Sequence, residues 1–241
     1  MKNLFFIIST LAPIFCSAAP SWTYASNGRT PLSPSRAPLR VLITDFEAFG
    51  TETDNASRVM VNAMAKALKS SPNKLNVILD TVTLPVVYGK AEEGLYREVK
   101  AFAPDVILSF GQAPEGNFRL ETQAENLDNT DFPDNDGVSR VNQVIVPRGP
   151  KTLPTLLPVK QLEAALLRAH FPVVISHSAG NFLCNHLFYQ LMNLKPKYAG
   201  FIHVPQLPDD GSKTFEQWGQ WGAGAIQTIL KTVTARNFVR R

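Results

Sequence analysis

Residues 172–204 read PVVISHSAGNFLCNHLFYQLMNLKPKYAGFIHV, and this stretch decides the fold class. Two short apolar runs, at 172–176 and 200–204, have the length and composition of buried strands. The segment 182–194 between them has the longer apolar period of an amphipathic helix. Because short apolar strands that alternate with amphipathic helices form largely parallel sheets covered on both faces, the stretch predicts part of such a sheet.

The same alternation of short apolar runs and amphipathic segments extends over the chain from residue 39. It predicts further strands at 40–44, 75–85 and 105–110, and further helices from residue 56, at 90–101, at 157–169 and at 214–234. At 241 residues the chain is long enough for one buried core. We therefore predict an α/β fold, a single-domain three-layer α/β/α sandwich with a largely parallel, mixed central sheet.

The segment 112–137 breaks this alternation. It is long, polar and acidic, and it follows the apolar strand that is predicted to end at Phe110. Connections longer than about 12–15 residues inside a compact domain are usually functional or disordered. Open α/β sheets also bind their ligands beyond the carboxyl ends of their strands. Position and length together predict an active-site loop.

The first residues have the features of a secretory signal peptide. Lys2 precedes an apolar run at 4–16, and small residues follow at 17–19. We predict a signal peptide at 1–19, with cleavage between 18 and 25, a flexible leader at 20–38 and the α/β domain at 39–241. The apolar run is shorter than the roughly 20 residues that cross a bilayer. We therefore expect export to the periplasm or the medium, without a stable membrane anchor.

Export leaves one cysteine in the mature chain, because Cys16 lies in the predicted signal peptide. A lone thiol forms no intramolecular disulfide, so Cys184 needs another explanation. Free cysteines are usually buried apolar residues. Cys184, however, falls near the start of the predicted helix that follows a strand, and the amide groups of a helix N-terminus stabilise a thiolate. This context predicts that Cys184 is a nucleophile.

A thiol nucleophile needs a base, and the chain has four histidines. His203 is the favoured candidate, because it lies near the end of an apolar strand, at the edge where parallel strands deliver side chains to one site. His186 is two residues from Cys184 and points to another side of the helix. His170 and His177 fall at a helix end and in a turn. By position alone, His203 is equally compatible with a structural role.

The third member of such a triad is a carboxylate that orients the imidazole. The acidic segment offers six, and spacing does not choose among them: Glu121, Glu125, Asp128, Asp131, Asp134 and Asp136. A calcium loop is excluded, because aligning its turn glycine on Gly137 places Phe132 and Gln143 at ligand positions. We expect no metal and no cofactor.

Two other classes of function find less support. The sequence Ser-His-Ser-Ala-Gly at 176–180 resembles the nucleophile elbow of serine hydrolases, but Ser176 replaces its first glycine and no acid lies between Ser178 and His203. A nucleic-acid partner is not expected, because the net charge of +4 is spread over the chain without a basic stripe. A serine hydrolase therefore remains the secondary alternative.

Four blocks of sequence occur in the order of one known family. They are F-E-A-F-G at 46–50 with Asn55, L-S-F-G-Q-A at 108–113, the stretch from Glu121 to P-D-N at 133–135, and A-G-N-F-L-C-N-H at 179–186 followed by G-F-I-H-V-P at 200–205. Over residues 41–208 the chain thus resembles the pyroglutamyl peptidase I family, also called pyrrolidone-carboxylate peptidases. An ordered set of four blocks is far more specific than any one motif.

The resemblance implies a cysteine-type omega peptidase that removes N-terminal pyroglutamate from peptides through a thioester acyl-enzyme. It assigns Cys184 as the nucleophile, His203 as the base and Glu121 as the carboxylate that orients the base. The implied partner is a peptide with an N-terminal pyroglutamate. Five residues are expected to form or brace the site for its ring: Phe46, Phe49, Asn55, Gln112 and Leu183. Members of the family are generally homo-oligomers.

The chain departs from the family at positions near the expected site. Asp131 stands where the family has an arginine close to the oxyanion, and removing one oxyanion donor lowers kcat by about 10²- to 10³-fold. Asp45, Ala48 and Thr51 replace a glycine, a proline and a second glycine of the first block. Two alternatives therefore stay open: a pyroglutamyl-binding homologue with impaired turnover, and a thiol amidase with an altered choice of substrate.

Overall fold

The computed structural model describes residues 37–70, 75–114, 116–208 and 210–235. The predicted signal peptide and the leader up to residue 36 lie outside the described residues. The first strand of the domain begins at Leu39. None of the helices within these described ranges is long and apolar enough to cross a membrane.

The described part of the chain contains ten strands in three sheets. Their bounds are β1 Leu39–Phe46, β2 Val77–Leu84, β3 Val106–Ala113, β4 Phe118–Glu121, β5 Gln123–Glu125, β6 Asp128–Thr130, β7 Arg140–Gln143, β8 Thr152–Pro154, β9 Val173–Ser176 and β10 Tyr198–Pro205. Six strands form the main sheet in the order β2-β1-β3-β10-β4-β9, and β5–β8 and β6–β7 form small antiparallel sheets. In the main sheet, β4 and β9 run opposite to the other four strands. The sheet is mixed and largely parallel, as predicted.

Five helices of the described residues cover the two faces of the main sheet. They are α1 Ala56–Ser70, α2 Lys90–Phe102, α3 Val159–Arg168, α4 Leu183–Asn193 and α5 Phe215–Thr234. The apolar sides of α1, α3 and α5 join one core, and those of α2 and α4 join a second core on the opposite face. The predicted three-layer α/β/α sandwich is therefore confirmed.

The two cores explain why the strands are apolar along their length. In β1, Val41 and Ile43 enter the core beneath α1 and α5, whereas Leu42 and Phe46 enter the core beneath α2 and α4. Successive side chains of a strand point to opposite faces of a sheet. A strand that helices cover on both sides therefore needs apolar residues at nearly every position.

The segment 112–137 is not a loop, so this part of the prediction is wrong. Gln112 and Ala113 extend β3, and the strands β4, β5 and β6 all lie within the segment. In β4, Phe118 and Leu120 enter the core beneath α5 and alternate with polar residues. Four residues of this alternation are too few to stand out from a polar stretch. The other predicted strands and helices are present and differ only at their ends.

The contact between α1 and α5 depends on a glycine. A Cβ added at Gly222 would collide with the Sδ and Cγ atoms of Met60. We expect Gly222→Ala to lower the free energy of unfolding by about 1–3 kcal/mol relative to a matched control, through overpacking. The control is Gly224→Ala on the same helix, which gains the same helix propensity and meets the Phe171 ring at 3.0 Å. Urea unfolding measures the difference, and equal midpoints for the two variants would contradict the packing argument.

Candidate active site

The helix α4 begins without a side-chain cap. Phe182 is its N-cap residue, in an extended conformation, and the N–H of His186 donates to the Phe182 carbonyl at 3.1 Å. The N–H groups of Leu183 and Cys184 come before this first helical hydrogen bond and have no partner within the helix. Cys184 is the second helical residue and is half-buried at this positively polarised end. The thiol therefore lies where an anion is stabilised.

The sulfur of Cys184 lies against the centre of the main sheet. In the pairing of β3 with β10, Gly111 stands beside His203. A Cβ at Gly111 would lie 2.9 Å from Cys184 Sγ and 2.7 Å from the Phe201 ring. Any larger residue would displace one of these groups, because both distances are shorter than van der Waals contact. Gly111 thus leaves the space in which the thiol approaches the sheet.

His203 and Glu121 form a buried hydrogen bond. His203 Nδ1 lies 2.8 Å from Glu121 Oε1, and both side chains are more than nine-tenths buried. Because β4 pairs antiparallel with β10, with Leu120 opposite Ile202, the two residues are diagonal neighbours on one face of the sheet. Cys184 lies close enough to the imidazole to raise its pKa. Cys184 on α4, His203 on β10 and Glu121 on β4 therefore lie next to one another in this order.

The surroundings of His203 favour its protonated form. Burial by itself lowers the pKa of His203, but the charge and hydrogen bond of Cys184, together with those of Glu121, raise this pKa to about 9. At neutral pH the imidazole is therefore a cation beside the Cys184 sulfur. The arrangement can support attack by sulfur and subsequent proton transfer by the imidazole.

The largest contribution that raises the pKa of His203 comes from Cys184. We therefore expect Cys184→Ala to lower the pKa of His203 from about 9 toward its ordinary value of 6.5. Titration of the histidine signals by NMR in both proteins measures the change. Ser178→Ala is the control and should leave the titration unaltered; the same pKa of His203 in all three proteins would refute the contact.

Among the described residues, Glu121 is the one of the six predicted carboxylates that hydrogen-bonds to His203. Three others have different partners: Asp128 binds His186 and Arg140, Asp134 accepts from the N–H of Tyr88, and Asp136 pairs with Lys90. The described residues contain no group of three or more His, Cys, Asp or Glu side chains that could hold a metal ion. Geometry thus selects the carboxylate that spacing left open.

A cavity of about 200 Å³ opens beside the thiol. Its described wall is aromatic, aliphatic and amide in character: Phe46, Phe49, Asn55, Val86, Gln112, Ala113, Pro114, Phe182, Leu183, Cys184 and Gln206. Cavities for drug-sized ligands measure roughly 300–1,000 Å³. Because this cavity is smaller and its described wall contains no acid or base other than the thiol, it suits a small uncharged group. All five residues predicted for a ring site line it.

Sequence reasoning missed several residues of this wall. Phe182 was not predicted, although it precedes Cys184 by two positions in the fourth block, and its ring lies 5.2 Å from that of Phe49. Pro114 and Gln206 follow the ends of β3 and β10, and no motif marks them. The parallel pairing of these two strands brings them together, with the N–H of Gln206 donating to the Ala113 carbonyl.

Amide side chains hold the loop that carries Phe49. The Nδ2 group of Asn55 donates to the Glu47 carbonyl at 3.1 Å. From the P-D-N block, the Nδ2 group of Asn135 donates to the Ala48 carbonyl at 2.9 Å. The first and third blocks are therefore in direct contact, and the aromatic wall is fixed from two sides.

The alternative serine site is not assembled. Ser178 is exposed, and its hydroxyl accepts from the Gly180 N–H at 3.3 Å. His177, its neighbour in sequence, instead lies 2.9 Å from the Thr122 hydroxyl. In the part of the chain that the structure describes, no imidazole is within hydrogen-bond distance of Ser178. The geometry of a serine nucleophile with a histidine base is therefore not found here.

Residues 39–237 match the family model described as pyroglutamyl peptidase. The chain belongs to the pyroglutamyl peptidase family. A similar pyrrolidone-carboxylate peptidase from Vibrio vulnificus is 39% identical over 178 residues, which cover 72% of this chain and 81% of the relative. Another from Chromobacterium violaceum is 36% identical over 170 residues, which cover 70% of this chain and 79% of the relative.

Solved structures of pyroglutamyl peptidases have a similar fold. Pyroglutamyl peptidase I of Bacillus amyloliquefaciens matches with a TM-score of 0.71 at 29% identity, covering 82% of this chain and 98% of that one. The pyrrolidone carboxyl peptidase of Fervidobacterium islandicum matches with a TM-score of 0.71 at 32% identity, covering 81% and 98%. The family that the four sequence blocks indicated is confirmed.

Proposed function

We propose that this chain is a cysteine peptidase that removes N-terminal pyroglutamate from peptides, with Cys184 as nucleophile, His203 as proton carrier and Glu121 as the carboxylate that orients the imidazole. The observation that carries the proposal is the small uncharged cavity directly beside a thiol that interacts with a buried imidazole. Membership of the pyroglutamyl peptidase family supports the same activity.

The character of the cavity supports the choice of substrate. Pyroglutamate is a cyclised glutamate, so its N-terminus is a neutral lactam and not an ammonium group. Phe46 and Phe49 offer aromatic faces to such a ring, and Gln112 offers an amide group to its polar edge, while Asn55 braces the loop that carries Phe49. A charged amino terminus would lose its hydration in this wall without gaining a described counter-charge, which is unfavourable.

In the acylation step, the Cys184 thiolate attacks the carbonyl carbon of the pyroglutamyl peptide bond, and the carbonyl electron pair moves to oxygen. The N–H groups of Leu183 and Cys184, at the start of α4, have no partner within the helix and are the proposed donors for this oxyanion. The intermediate collapses as the C–N bond breaks. The leaving amine takes its proton from His203, and a thioester remains.

In the deacylation step, His203 has to act as a base. The Cys184 charge is the largest contribution that raises the pKa of His203, and acylation removes that charge. The pKa of the imidazole therefore falls when it must accept a proton from the attacking water. Hydroxide adds to the thioester, the thiolate leaves, and free pyroglutamate is released with the imidazole protonated again.

Export is also part of the proposal. Lys2, the apolar run at 4–16 and the small residues at 17–19 support a secretory signal peptide. The domain that begins with β1 would then act on peptides in the periplasm or outside the cell.

A fluorogenic pyroglutamyl amide tests the activity. We expect reduced wild-type protein to release the fluorophore, Cys184→Ala to show no release above background, and Ser178→Ala to match wild type, because the Ser178 hydroxyl has no imidazole partner. An uncyclised glutamyl amide of the same fluorophore should not be cleaved, because its ammonium group is charged.

The outcomes separate the alternatives. Binding of pyroglutamate without Cys184-dependent release would leave a binding protein and refute the peptidase. Cleavage of other amides in preference to the pyroglutamyl one would indicate a thiol amidase of different specificity. Activity that survives Cys184→Ala and disappears in Ser178→Ala would restore the serine hydrolase.

The pH dependence of kcat/KM follows from His203. Its pKa is raised to about 9, so the imidazolium that protonates the leaving amine persists below this pH and is lost above it. We expect kcat/KM to fall as the pH rises through about 9. In Glu121→Gln the carboxylate charge that helps to raise this pKa is absent, so the alkaline limb should move to lower pH. An alkaline limb at the same pH in both proteins would contradict the assignment.

A further inference from the structure

Arg140 does not line the cavity. It contacts two residues that in turn contact α4, the helix that carries Cys184. It lies on β7, paired opposite Thr130 of β6. Its guanidinium carbon is 4.2 Å from the centre of the Tyr88 ring, and its Nη1 is 3.2 Å from Asp128 Oδ2. Tyr88 and Asp128 are both buried, whereas the Arg140 side chain is partly exposed. The guanidinium therefore lies between the solvent and the buried side chains of Tyr88 and Asp128.

The first contact leads to the residue before the helix. The Tyr88 ring packs edge-on against the Phe182 ring, with 5.8 Å between the ring centres. Phe182 is the N-cap residue of α4. A cation within about 6 Å of an aromatic face is attracted to it, so Arg140 restrains the ring that supports the start of the helix.

The second contact leads to the same helix one turn later. Asp128 Oδ2 lies 2.8 Å from His186 Nδ1, and Glu92 Oε1 lies 3.1 Å from His186 Nε2. Burial lowers the pKa of His186, but the two carboxylates raise it above its ordinary value. Arg140 and His186 are thus the two basic side chains that face the two carboxyl groups of Asp128 and Glu92. Removal of Arg140 leaves the buried Asp128 carboxyl group with only the His186 imidazole, which it shares with Glu92, and loss of one partner of a buried ion pair is strongly unfavourable.

The two contacts converge on the nucleophile. Phe182 stands two residues before Cys184, and His186 stands two residues after it. A shift of this turn moves both the sulfur and the N–H groups that are proposed to hold the oxyanion. The orientation of the turn therefore controls the geometry of the reaction.

We propose that Arg140 is a positioning residue for the reaction. Through its two buried partners it fixes the first turn of α4, and this turn holds Cys184 against His203. Arg140 acts through its neighbours and does not touch the reacting atoms. The proposal rests on the proposed function in taking Cys184 as the nucleophile.

Arg140→Met tests the proposal, because methionine keeps an apolar stem and removes the charge. We expect kcat/KM for the pyroglutamyl amide to fall by about 10- to 100-fold, since small displacements of reacting groups have effects of this size. The second measurement is the pKa of His203 by NMR. It should fall from about 9, because the contact with Cys184 that raises it is weakened.

Further variants separate the effects on activity of the Arg140 charge, the Tyr88 ring and the general stability of the protein. Arg140→Lys keeps the charge and should recover part of the lost activity. Tyr88→Phe keeps the aromatic face and should lose less activity than Tyr88→Leu, which removes it. Arg97→Met is the matched control, because Arg97 is an exposed arginine on α2 whose partner is the neighbouring Glu98. It should retain wild-type kcat/KM and the wild-type pKa of His203.

Wild-type kcat/KM together with a wild-type pKa of His203 in Arg140→Met overturns the proposal. A loss of activity that matches the loss of folded protein by circular dichroism, with the pKa of His203 unchanged, also overturns it, since the role is then only structural. If wild type itself shows no Cys184-dependent release, the proposed function fails. In that case the pKa of His203 still decides whether Arg140 holds the thiol in place.

Discussion

The hydrogen bond between His203 and Glu121 is the interaction on which the rest of the site depends. It forms because β4 enters the sheet antiparallel to β10, which makes the two residues diagonal neighbours on the face that α4 covers. A buried carboxylate without its partner is strongly unfavourable. The pairing of the strands and the pairing of the side chains therefore stabilise each other, and the imidazole is held in one orientation toward Cys184.

Two further constraints complete the site around this bond. The uncapped start of α4 presents unpaired N–H groups beside the thiol, and Gly111 leaves the space that the sulfur needs. Cys184 and its partners are ionisable, while the other described residues of the cavity wall are not. In the proposed function, protonation therefore changes at the thiol and the imidazole, whereas the aromatic and amide side chains of the wall recognise an uncharged ring.

His186 and His203, the two buried histidines near Cys184, differ in their capacity to exchange a proton. Both ring nitrogens of His186 face carboxylates, so it has no free nitrogen with which to exchange a proton. His203 has a carboxylate on one side only and the thiol on the other. Their sequence positions alone favoured His203, and the hydrogen bonds give the physical reason. The charged group around His186 instead ties α2, β6 and β7 to the helix that carries Cys184.

The sequence by itself determined the layered α/β fold and the place of the thiol, because apolar periods and a helix start are local properties of the chain. It also indicated the family, through four ordered blocks. Only the tertiary structure decided that 112–137 contains strands and that Phe182, Pro114 and Gln206 complete the cavity wall. Only the tertiary structure also decided that the Arg140 guanidinium contacts Tyr88 and Asp128 next to α4. These residues are distant in sequence and have no motif in common. Strand pairing and helix packing bring them together, and neither can be read from a local pattern.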